Sequence, residues 1–357
     1  MAGRTGKSVG SKSLGIAAED IFACWHIYQK IRAKQMLTAE RKISVTLKDI
    51  QAAQQRIRNK AIRTPLLRFY YEDSPGELYL KAENLQPIGS FKLRGAANAM
   101  AIADKSLLSK GVYTASAGNM AQGVAWNARI MNIPCTVIVP DHAPQIKLDA
   151  ITRLGAKFIK IPFSDWWQVI VTRQFDGMKG LFIHPVADPA VIAGNGTIGL
   201  EIFEDIPDVD SVIVPYGGGG LIAGIATALK ALKPQVKIFA SEVETAAPLA
   251  PSLSAGKPVN VEYTPSFVDG MGSSSVLSEM WPLVSSLVDG SIVLSLQQIA
   301  NAIRLLIGRN RMIAEGAGGS SLAAALTGSA GSGKTVCVIS GGNIDTEKLI
   351  KILSGTI

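Results

Sequence analysis

The sequence lacks the features that mark membrane proteins and secreted proteins. Hydrophobic residues make up 47% of it, yet no run of about 18 apolar residues is free of glycine and charge, so we predict no transmembrane helix. A helix-like segment at residues 14–36 contains two adjacent acids and precedes no small-residue cleavage site, which argues against a secretory signal. The three cysteines, Cys24, Cys135 and Cys337, are far apart and lack metal-ligand spacing. This pattern indicates a reducing compartment, the cytoplasm.

The sequence also lacks a basic surface of the kind that binds nucleic acid. The formal net charge is +8, but residues 1–68 hold 14 Lys and Arg against 4 Asp and Glu, while the remainder holds 22 against 24. No basic stripe is interleaved with stacking aromatic residues, so we predict no nucleic-acid partner. Residues 1–40 are therefore predicted to be a basic leader, partly disordered or helical, ahead of a nearly neutral body.

The body of the chain alternates between strand-like and helix-like segments. Its 357 residues suffice for one large or two medium domains, and we find no internal repeat. The strand-like segments are continuously apolar, as parallel strands buried on both faces are. The alternation predicts an α/β protein with largely parallel sheets. Strands are predicted at residues 78–83, 111–115, 135–139, 157–161, 211–214, 236–240 and 335–339, and helices at 46–58, 120–131, 145–154, 221–232, 296–307 and 320–326.

Lys92 is unusual because of its neighbours. It lies between Phe91 and Leu93, just past a Gly-Ser turn, where a helix through residues 96–100 is expected to begin. An amine in an apolar site at a helix N-terminus has a lowered pKa and can act as a nucleophile near neutral pH. The alternative is an ordinary helix-start lysine whose amine reaches solvent, and this segment alone does not decide between the two.

Three glycine-rich polar loops also follow predicted strands, at residues 116–119, 217–220 and 340–343. In open α/β sheets, ligands bind beyond the carboxyl ends of the strands, so we expect these loops and the Lys92 segment to form one site. The second loop would expose consecutive backbone N–H groups to a phosphate, because it lies before a helix and consists of Gly217, Gly218, Gly219 and Gly220.

An amine, a phosphate-binding loop, an amide and a hydroxyl together match pyridoxal phosphate. Lys92 would form the Schiff base, residues 217–220 would hold the phosphate, Asn119 would contact the ring oxygen and Ser340 the ring nitrogen. A hydroxyl does not force a proton onto the ring nitrogen as a carboxylate would. Ser340 therefore favours prompt β-elimination over transamination.

Two other glycine motifs have competing interpretations. Residues 218–223 match the dinucleotide motif G-x-G-x-x-A after a strand, with Glu242 at the end of the next strand, but a dinucleotide site leaves Lys92 and the other loops unexplained. Residues 328–335 match the P-loop pattern letter for letter. A helix precedes them and a strand follows, the reverse of the order that a P-loop requires, so we predict a mobile turn there.

With these motifs in this order, the chain resembles the fold-type II pyridoxal-phosphate enzymes, specifically the serine/threonine dehydratase and serine racemase group. The resemblance runs from about residue 45 to 357 and includes segments at 193–201 and 268–270. It implies a homodimer with the tryptophan synthase β-like fold, in which two domains each contain a largely parallel, open twisted sheet. The implied large domain comprises residues 41–108 and 188–357, and the small mobile domain residues 109–187.

The resemblance also assigns roles to single residues. Phe91 would lie along the cofactor ring, and the substrate-binding residues would be Ser90, Ser116, Ala117, Gly118, Asn119, Met120 and Gly270. The family usually has His after the loop asparagine, so Met120 leaves the identity of the substrate open. Pro248 stands where racemase relatives have a second carboxylate of a divalent-metal site, so Glu242 would bind a cation only weakly.

The implied function is that of a pyridoxal-phosphate-dependent dehydratase, an ammonia-lyase that converts a serine- or threonine-type β-hydroxy-α-amino acid into a 2-oxo acid and ammonia. The alternatives are racemisation or β-replacement with the same cofactor, and a protein that keeps the fold without the chemistry. Ala117 favours elimination, because a racemase needs a second acid–base group opposite Lys92 and racemases of this group have a serine at that loop position. Val186 likewise lacks the polar group that racemases place near the cofactor.

Overall fold

The computed structural model of the protein describes residues 43–357, whose strands form two sheets. The strands of the larger sheet are β1 (Leu66–Phe69), β2 (Glu77–Lys81), β7 (Ser211–Pro215), β8 (Lys237–Val243), β9 (Gly290–Leu294) and β10 (Lys334–Val338). Their order is β1-β2-β10-β7-β8-β9, and only the β1–β2 pair is antiparallel. The predictions for residues 1–40 and Cys24 lie outside the described residues.

The smaller sheet is entirely parallel. Its strands are β3 (Val112–Ala115), β4 (Cys135–Pro140), β5 (Lys157–Ile161) and β6 (Leu181–Phe182), in the order β5-β4-β3-β6. All four lie within residues 109–187, and the strands of the larger sheet lie outside that range. The predicted α/β fold with two largely parallel sheets is therefore confirmed.

Helices cover the faces of the sheets and connect the parallel strands. They are α1 (Leu47–Ile57), α2 (Lys92–Ile102), α3 (Lys105–Leu108), α4 (Asn119–Ile130), α5 (Gln145–Arg153), α6 (Phe163–Thr172), α7 (Pro189–Asp205), α8 (Gly220–Leu232), α9 (Leu249–Ala255), α10 (Trp281–Leu287), α11 (Leu296–Leu305), α12 (Gly316–Leu326) and α13 (Thr346–Ser354). The six helices given above and the helix expected through residues 96–100 are all present. The prediction omitted α3, α6, α7, α9, α10 and α13, and also β1, β6 and β9.

The helix α7 has 17 residues and was missed because it is rich in glycine. Glycine has low helix propensity, so its repeated occurrence argues against a helix. In the fold, however, a Cβ at Gly194 would lie 2.5 Å from the backbone oxygen of Arg94, and one at Gly196 would lie 2.8 Å from that of Gly224. Glycine therefore allows α7 to pack directly against α2 and α8, and this packing outweighs the local propensity.

The central strands of the larger sheet divide the core into two layers. Val212 and Val214 of β7 contribute to one hydrophobic cluster and Ile213 to the other, since successive side chains of a strand point to opposite faces. Both β7 and β10 are almost entirely buried, as expected of parallel strands covered on both faces. Cys337 of β10 and Cys135 of β4 are buried free thiols, and burial raises the pKa of Cys135 to about 12.

The P-loop-like segment forms the turn between α12 and β10. Gly328 and Gly331 there have φ values of 75° and 94°, which only glycine adopts without strain. Lys334 belongs to β10 and pairs with Asp208. The predicted order of helix, turn and strand is confirmed, while the mobility of the turn stays a prediction. Among the described residues, no helix combines the length and apolar character that crossing a membrane requires.

Candidate active site

Lys92 is the first residue of α2, so its side chain leaves the backbone at a helix N-terminus. Its Nζ donates a 2.7 Å hydrogen bond to the backbone oxygen of Pro185 and lies 5.2 Å from the centre of the Phe91 ring. Burial lowers the pKa of Lys92 to about 8, against the opposing influence of the Glu315 carboxylate. The predicted lowering of the pKa is confirmed. A larger fraction of this amine than of an ordinary lysine is therefore neutral near physiological pH and able to act as a nucleophile or base.

The Lys92 segment is held against the loop that follows β10. The Phe91 N–H donates a 3.0 Å hydrogen bond to the backbone oxygen of Ser340, and buried Ser90 forms an antiparallel bridge with Gly341. Ser340 is itself buried, and its hydroxyl has no hydrogen-bond partner among residues 43–357. That hydroxyl is therefore available to a ligand beside Lys92.

The loop of residues 217–220 connects β7 to the N-terminus of α8. None of its four backbone N–H groups donates to an acceptor within the described chain, and no side chain caps the helix. Gly219 has φ 93°, a Cβ at Gly218 would lie 2.6 Å from Cγ2 of Val186, and one at Gly220 would lie 2.9 Å from the Val186 backbone oxygen. Only glycine fits at residues 218–220, and the free N–H groups of the loop form the kind of nest that binds phosphate. Val186 follows Pro185, so this loop lies close to Lys92.

The loop of residues 116–119 connects β3 to α4. Its four residues are half-buried, and the Gly118 N–H donates a 3.2 Å hydrogen bond to the Ser116 hydroxyl. The backbone N–H groups of Asn119 and Met120, at the start of α4, have no acceptor in the described part of the chain. A helix N-terminus with free N–H groups suits a carboxylate. The side chain of Met120, by contrast, packs into the hydrophobic cluster of the smaller sheet.

Asn119 ties this loop to two residues from elsewhere in the chain. Its Nδ2 donates a 2.8 Å hydrogen bond to Oε1 of Glu315, and its Oδ1 accepts a 2.7 Å hydrogen bond from Nδ2 of Asn343. Gly270 lies between the phosphate-binding loop and Glu315. Its backbone oxygen is 3.9 Å from a Cβ built at Gly217, and a Cβ built at Gly270 would lie 3.3 Å from Glu315 Oε1. The structure thus brings together all four loops that were expected to meet.

Glu315 is a residue of the site that the sequence interpretation missed. Burial raises the pKa of its carboxyl to about 7; Asp269 acts in the same direction, and the hydrogen bond from Asn119 opposes it. A sequence signal existed, since Glu315 is the only charged residue in the small, apolar stretch 312–326. A lone acid in such a stretch, at the N-cap of a helix, is a candidate functional group.

Glu242, the weak candidate for a metal ligand, lies apart from these loops. Both of its oxygens accept hydrogen bonds, one from the Leu249 N–H at 2.8 Å and the other from the Ala250 N–H at 2.8 Å and the Ser291 hydroxyl at 2.6 Å. Residues 43–357 contain no group of three or more His, Cys, Asp or Glu side chains arranged to hold a metal ion.

These observations fit pyridoxal phosphate. The loop before α8 supplies unpartnered N–H groups for a phosphate, Lys92 supplies a partly neutral amine, and Ser340 supplies a free hydroxyl. In a two-sheet α/β fold, with all three at the carboxyl ends of strands, this site defines an enzyme that works through a lysine-bound aldehyde cofactor.

Comparison with known proteins identifies the family. The family model described as pyridoxal-phosphate dependent enzyme matches residues 57–342, and the chain belongs to this family. The predicted resemblance to this group of enzymes is therefore confirmed. The glycine motif at residues 218–223 therefore lies within a pyridoxal-phosphate-dependent enzyme.

Individual relatives lie within the predicted group. L-threonine ammonia-lyase of Thermotoga maritima is 41% identical over 315 residues, which cover 87% of this chain and 78% of the relative. The processed form of threonine deaminase isoform 2 from Solanum lycopersicum matches with a TM-score of 0.80 at 35% identity, over 87% of this chain and 88% of that one. Serine racemase from Dictyostelium discoideum matches with a TM-score of 0.77 at 36% identity, over 84% and 99%.

Proposed function

We propose that the protein is a pyridoxal-phosphate-dependent ammonia-lyase that converts a hydroxyamino acid of the serine or threonine type into a 2-oxo acid and ammonia. The observation that carries the proposal is the convergence of Lys92, the free N–H groups of residues 217–220 and the half-buried loop 116–119 at one site. The similarity to an L-threonine ammonia-lyase over 87% of the chain supports the same activity.

Each part of the site has a separate role in the proposed reaction. Bound pyridoxal phosphate withdraws electrons from the α-carbon of an amino acid. The free N–H groups at the start of α4 would bind the substrate carboxylate, and those at the start of α8 would bind the cofactor phosphate. The amine of Lys92, with its pKa lowered to about 8, accepts the α-proton. Ser340 offers a neutral hydroxyl to the ring nitrogen, and Asn119 an amide to the ring oxygen.

Racemisation is the second candidate, because the chain also resembles a serine racemase. A racemase must exchange a proton on both faces of the α-carbon, whereas the side chains of Ala117 and Val186 contain no acid–base group. Ala117→Ser should therefore raise the ratio of inversion to elimination by about tenfold, since a positioned acid–base group contributes at least about 10²-fold when ideally placed. Single enantiomers incubated with each enzyme, followed by chiral analysis and 2-oxo acid assay, measure this ratio. Inversion that outpaces ammonia release in the unmodified enzyme would contradict the proposal.

We further propose a large domain of residues 41–108 and 188–357, a small mobile domain of residues 109–187, and a cytoplasmic homodimer. The allocation of β3–β6 to a separate sheet supports the domain division. The free buried thiols of Cys135 and Cys337 suit a reducing compartment. Light scattering on the purified holoenzyme tests the dimer.

The substrate is tested by a screen. Stereoisomers of serine, threonine, hydroxyaspartate and phenylserine are incubated with the holoenzyme, and release of 2-oxo acid is measured. We expect turnover of at least one isomer with the cofactor attached to Lys92, which borohydride reduction and peptide mapping would locate. Cofactor on any other lysine, or no 2-oxo acid from any isomer, would contradict the proposed function.

A further inference from the structure

The Glu315 carboxyl occupies a space that two glycines leave open for it. A Cβ at Gly341 would lie 2.6 Å from Glu315 Oε1, and one at Gly270 would lie 3.3 Å from the same atom. The Glu315 N–H donates a 3.0 Å hydrogen bond to the Gly341 oxygen, which fixes the backbone, and the side chain does not cap its own helix. The carboxyl is thus directed into the site rather than used for local structure.

Among residues 43–357, the only hydrogen-bond partner of this carboxyl is the amide of Asn119, at 2.8 Å. The other end of that amide accepts from Asn343, whose Nδ2 also donates a 2.8 Å hydrogen bond to the Ile88 oxygen. Rotating the Asn119 amide by 180° would set its oxygen against the Glu315 carboxylate and its N–H group against the N–H group of Asn343. Both contacts would be repulsive, so the two partners determine the orientation of the amide.

We propose that Glu315 is a positioning residue for the reaction: together with Asn343 it holds the Asn119 amide so that its second N–H is the group offered to the cofactor ring oxygen. The inference rests on the proposed function, in which Asn119 contacts the cofactor. The added element is the Glu315 carboxyl, which acts on the cofactor through Asn119.

The charge of Glu315 makes this positioning sensitive to pH. Three charged groups of the described residues act electrostatically on the carboxyl: Asp269 disfavours its ionisation, while Lys147 and Lys92 favour it. Asp269 is itself bonded to Lys147 at 3.1 Å and to Lys348 at 3.0 Å. Because burial places the pKa of Glu315 at about 7, the carboxyl changes charge near neutrality. The hydrogen bond from Asn119 is charge-assisted above that pH and weaker below it.

The test uses the absorbance of the bound cofactor, recorded without substrate from pH 6 to pH 9. The wild-type holoenzyme should show a transition with a midpoint near pH 7. Glu315→Gln keeps an acceptor for Asn119 but cannot ionise, so its absorbance should stay in the low-pH form. Glu315→Asp should restore a transition with a shifted midpoint. The exposed Glu262→Gln variant is the matched control and should behave as wild type.

Asn343→Ala separates the two partners of Asn119. It should weaken cofactor binding about tenfold, the effect of losing about one hydrogen bond, and retain the transition because Glu315 is still present. A Glu315→Gln holoenzyme that keeps the wild-type midpoint would overturn the inference. Loss of the transition in Glu315→Gln supports the inference even if the wild-type enzyme releases no 2-oxo acid, a result that would contradict only the proposed function.

Discussion

Two sets of buried carboxyl side chains lie near the start of α2: Glu83 with Glu201, and Glu315 alone. The sets differ in the hydrogen-bond donors that the carboxyl oxygens contact. In the first group, Arg94 forms hydrogen bonds of 2.8 Å to both oxygens of Glu83 and of 2.7 and 2.9 Å to the two oxygens of Glu201, and Lys81 lies 2.6 Å from Glu201. In the second group, the Glu315 carboxyl accepts from the neutral amide of Asn119.

The pKa values follow this difference. Burial acts to raise the pKa of Glu83, but Arg94, the Thr64 hydroxyl and Lys81 together outweigh burial and hold the pKa below its ordinary value. Burial acts in the same direction on Glu315, no cation of residues 43–357 is hydrogen-bonded to that carboxyl, and its pKa rises to about 7. A carboxylate with fixed cationic partners keeps its charge and serves the structure. A carboxyl that changes charge near neutral pH is available to the chemistry.

The largest effect is expected from Lys92→Ala, which removes the reactive amine and leaves the Arg94 group intact. Activity should fall by about 10³-fold or more, because the proposed proton transfer loses its base. The thermal midpoint of the apoprotein should stay close to wild type, since Lys92 forms no ion pair among the described residues. Rates of 2-oxo acid release and melting curves measure both quantities. Retention of activity within tenfold of wild type would refute the role of Lys92.

Arg94→Met tests the structural group. It leaves the buried Glu83 carboxylate without its hydrogen-bonded cation, so the free energy of unfolding should fall by about 3–5 kcal/mol. The control is Lys237→Met, which removes an exposed partner of Asp289 and should cost less than about 1 kcal/mol. Urea unfolding of the apoproteins gives both values. Equal effects of the two substitutions would show that the Arg94 group does not stabilise the fold.

Glu315→Gln should change stability in a way that depends on pH. The pKa of Glu315 is about 7 in the folded protein against an ordinary value of 4.5, so the folded state binds more protons between these values. The stability from the neutral carboxyl is present below pH 4.5 and lost as the pH rises through 7. The apoprotein of Glu315→Gln should therefore resemble wild type at pH 4 and be more stable at pH 8, by at most about 3 kcal/mol.

Glu83→Gln is the matched control for this pH dependence. Because the pKa of Glu83 is lowered, its contribution to stability is present above its ordinary value and is lost as the pH falls. That variant should be less stable than wild type at pH 8, and the difference should shrink in acid. If Glu315→Gln and Glu83→Gln respond to pH in the same direction, the distinction between the two carboxyl groups is wrong.

The sequence was informative where one local pattern determines the outcome. Apolar runs predicted the buried strands, and glycines before a helix predicted the free N–H groups at residues 217–220. Glu315 was missed because its character depends on Gly270, Gly341 and Asn119, which are distant in the sequence. The glycine-rich α7 was missed for the same reason, since its close packing on α2 and α8 is a tertiary effect.

The smallest effect is expected at a third buried carboxylate, Glu242. Burial raises its pKa, while the Ser291 hydroxyl and the first N–H groups of α9 act in the opposite direction. These donors already occupy both oxygens of Glu242. The positive end of the α9 dipole stabilises the carboxylate charge, as a bound cation otherwise would. A chelator should therefore change neither the activity nor the melting temperature measurably.

Pro248→Asp is the informative variant, because it supplies a second carboxylate beside Glu242. Added Mg²⁺ or Ca²⁺ should then stabilise the protein by about 1.4 kcal/mol when the cation is at ten times its Kd, whereas the wild-type protein should not respond. Melting curves with and without the cation distinguish the two proteins. A wild-type enzyme that loses activity with chelator and regains it with either cation would contradict this prediction.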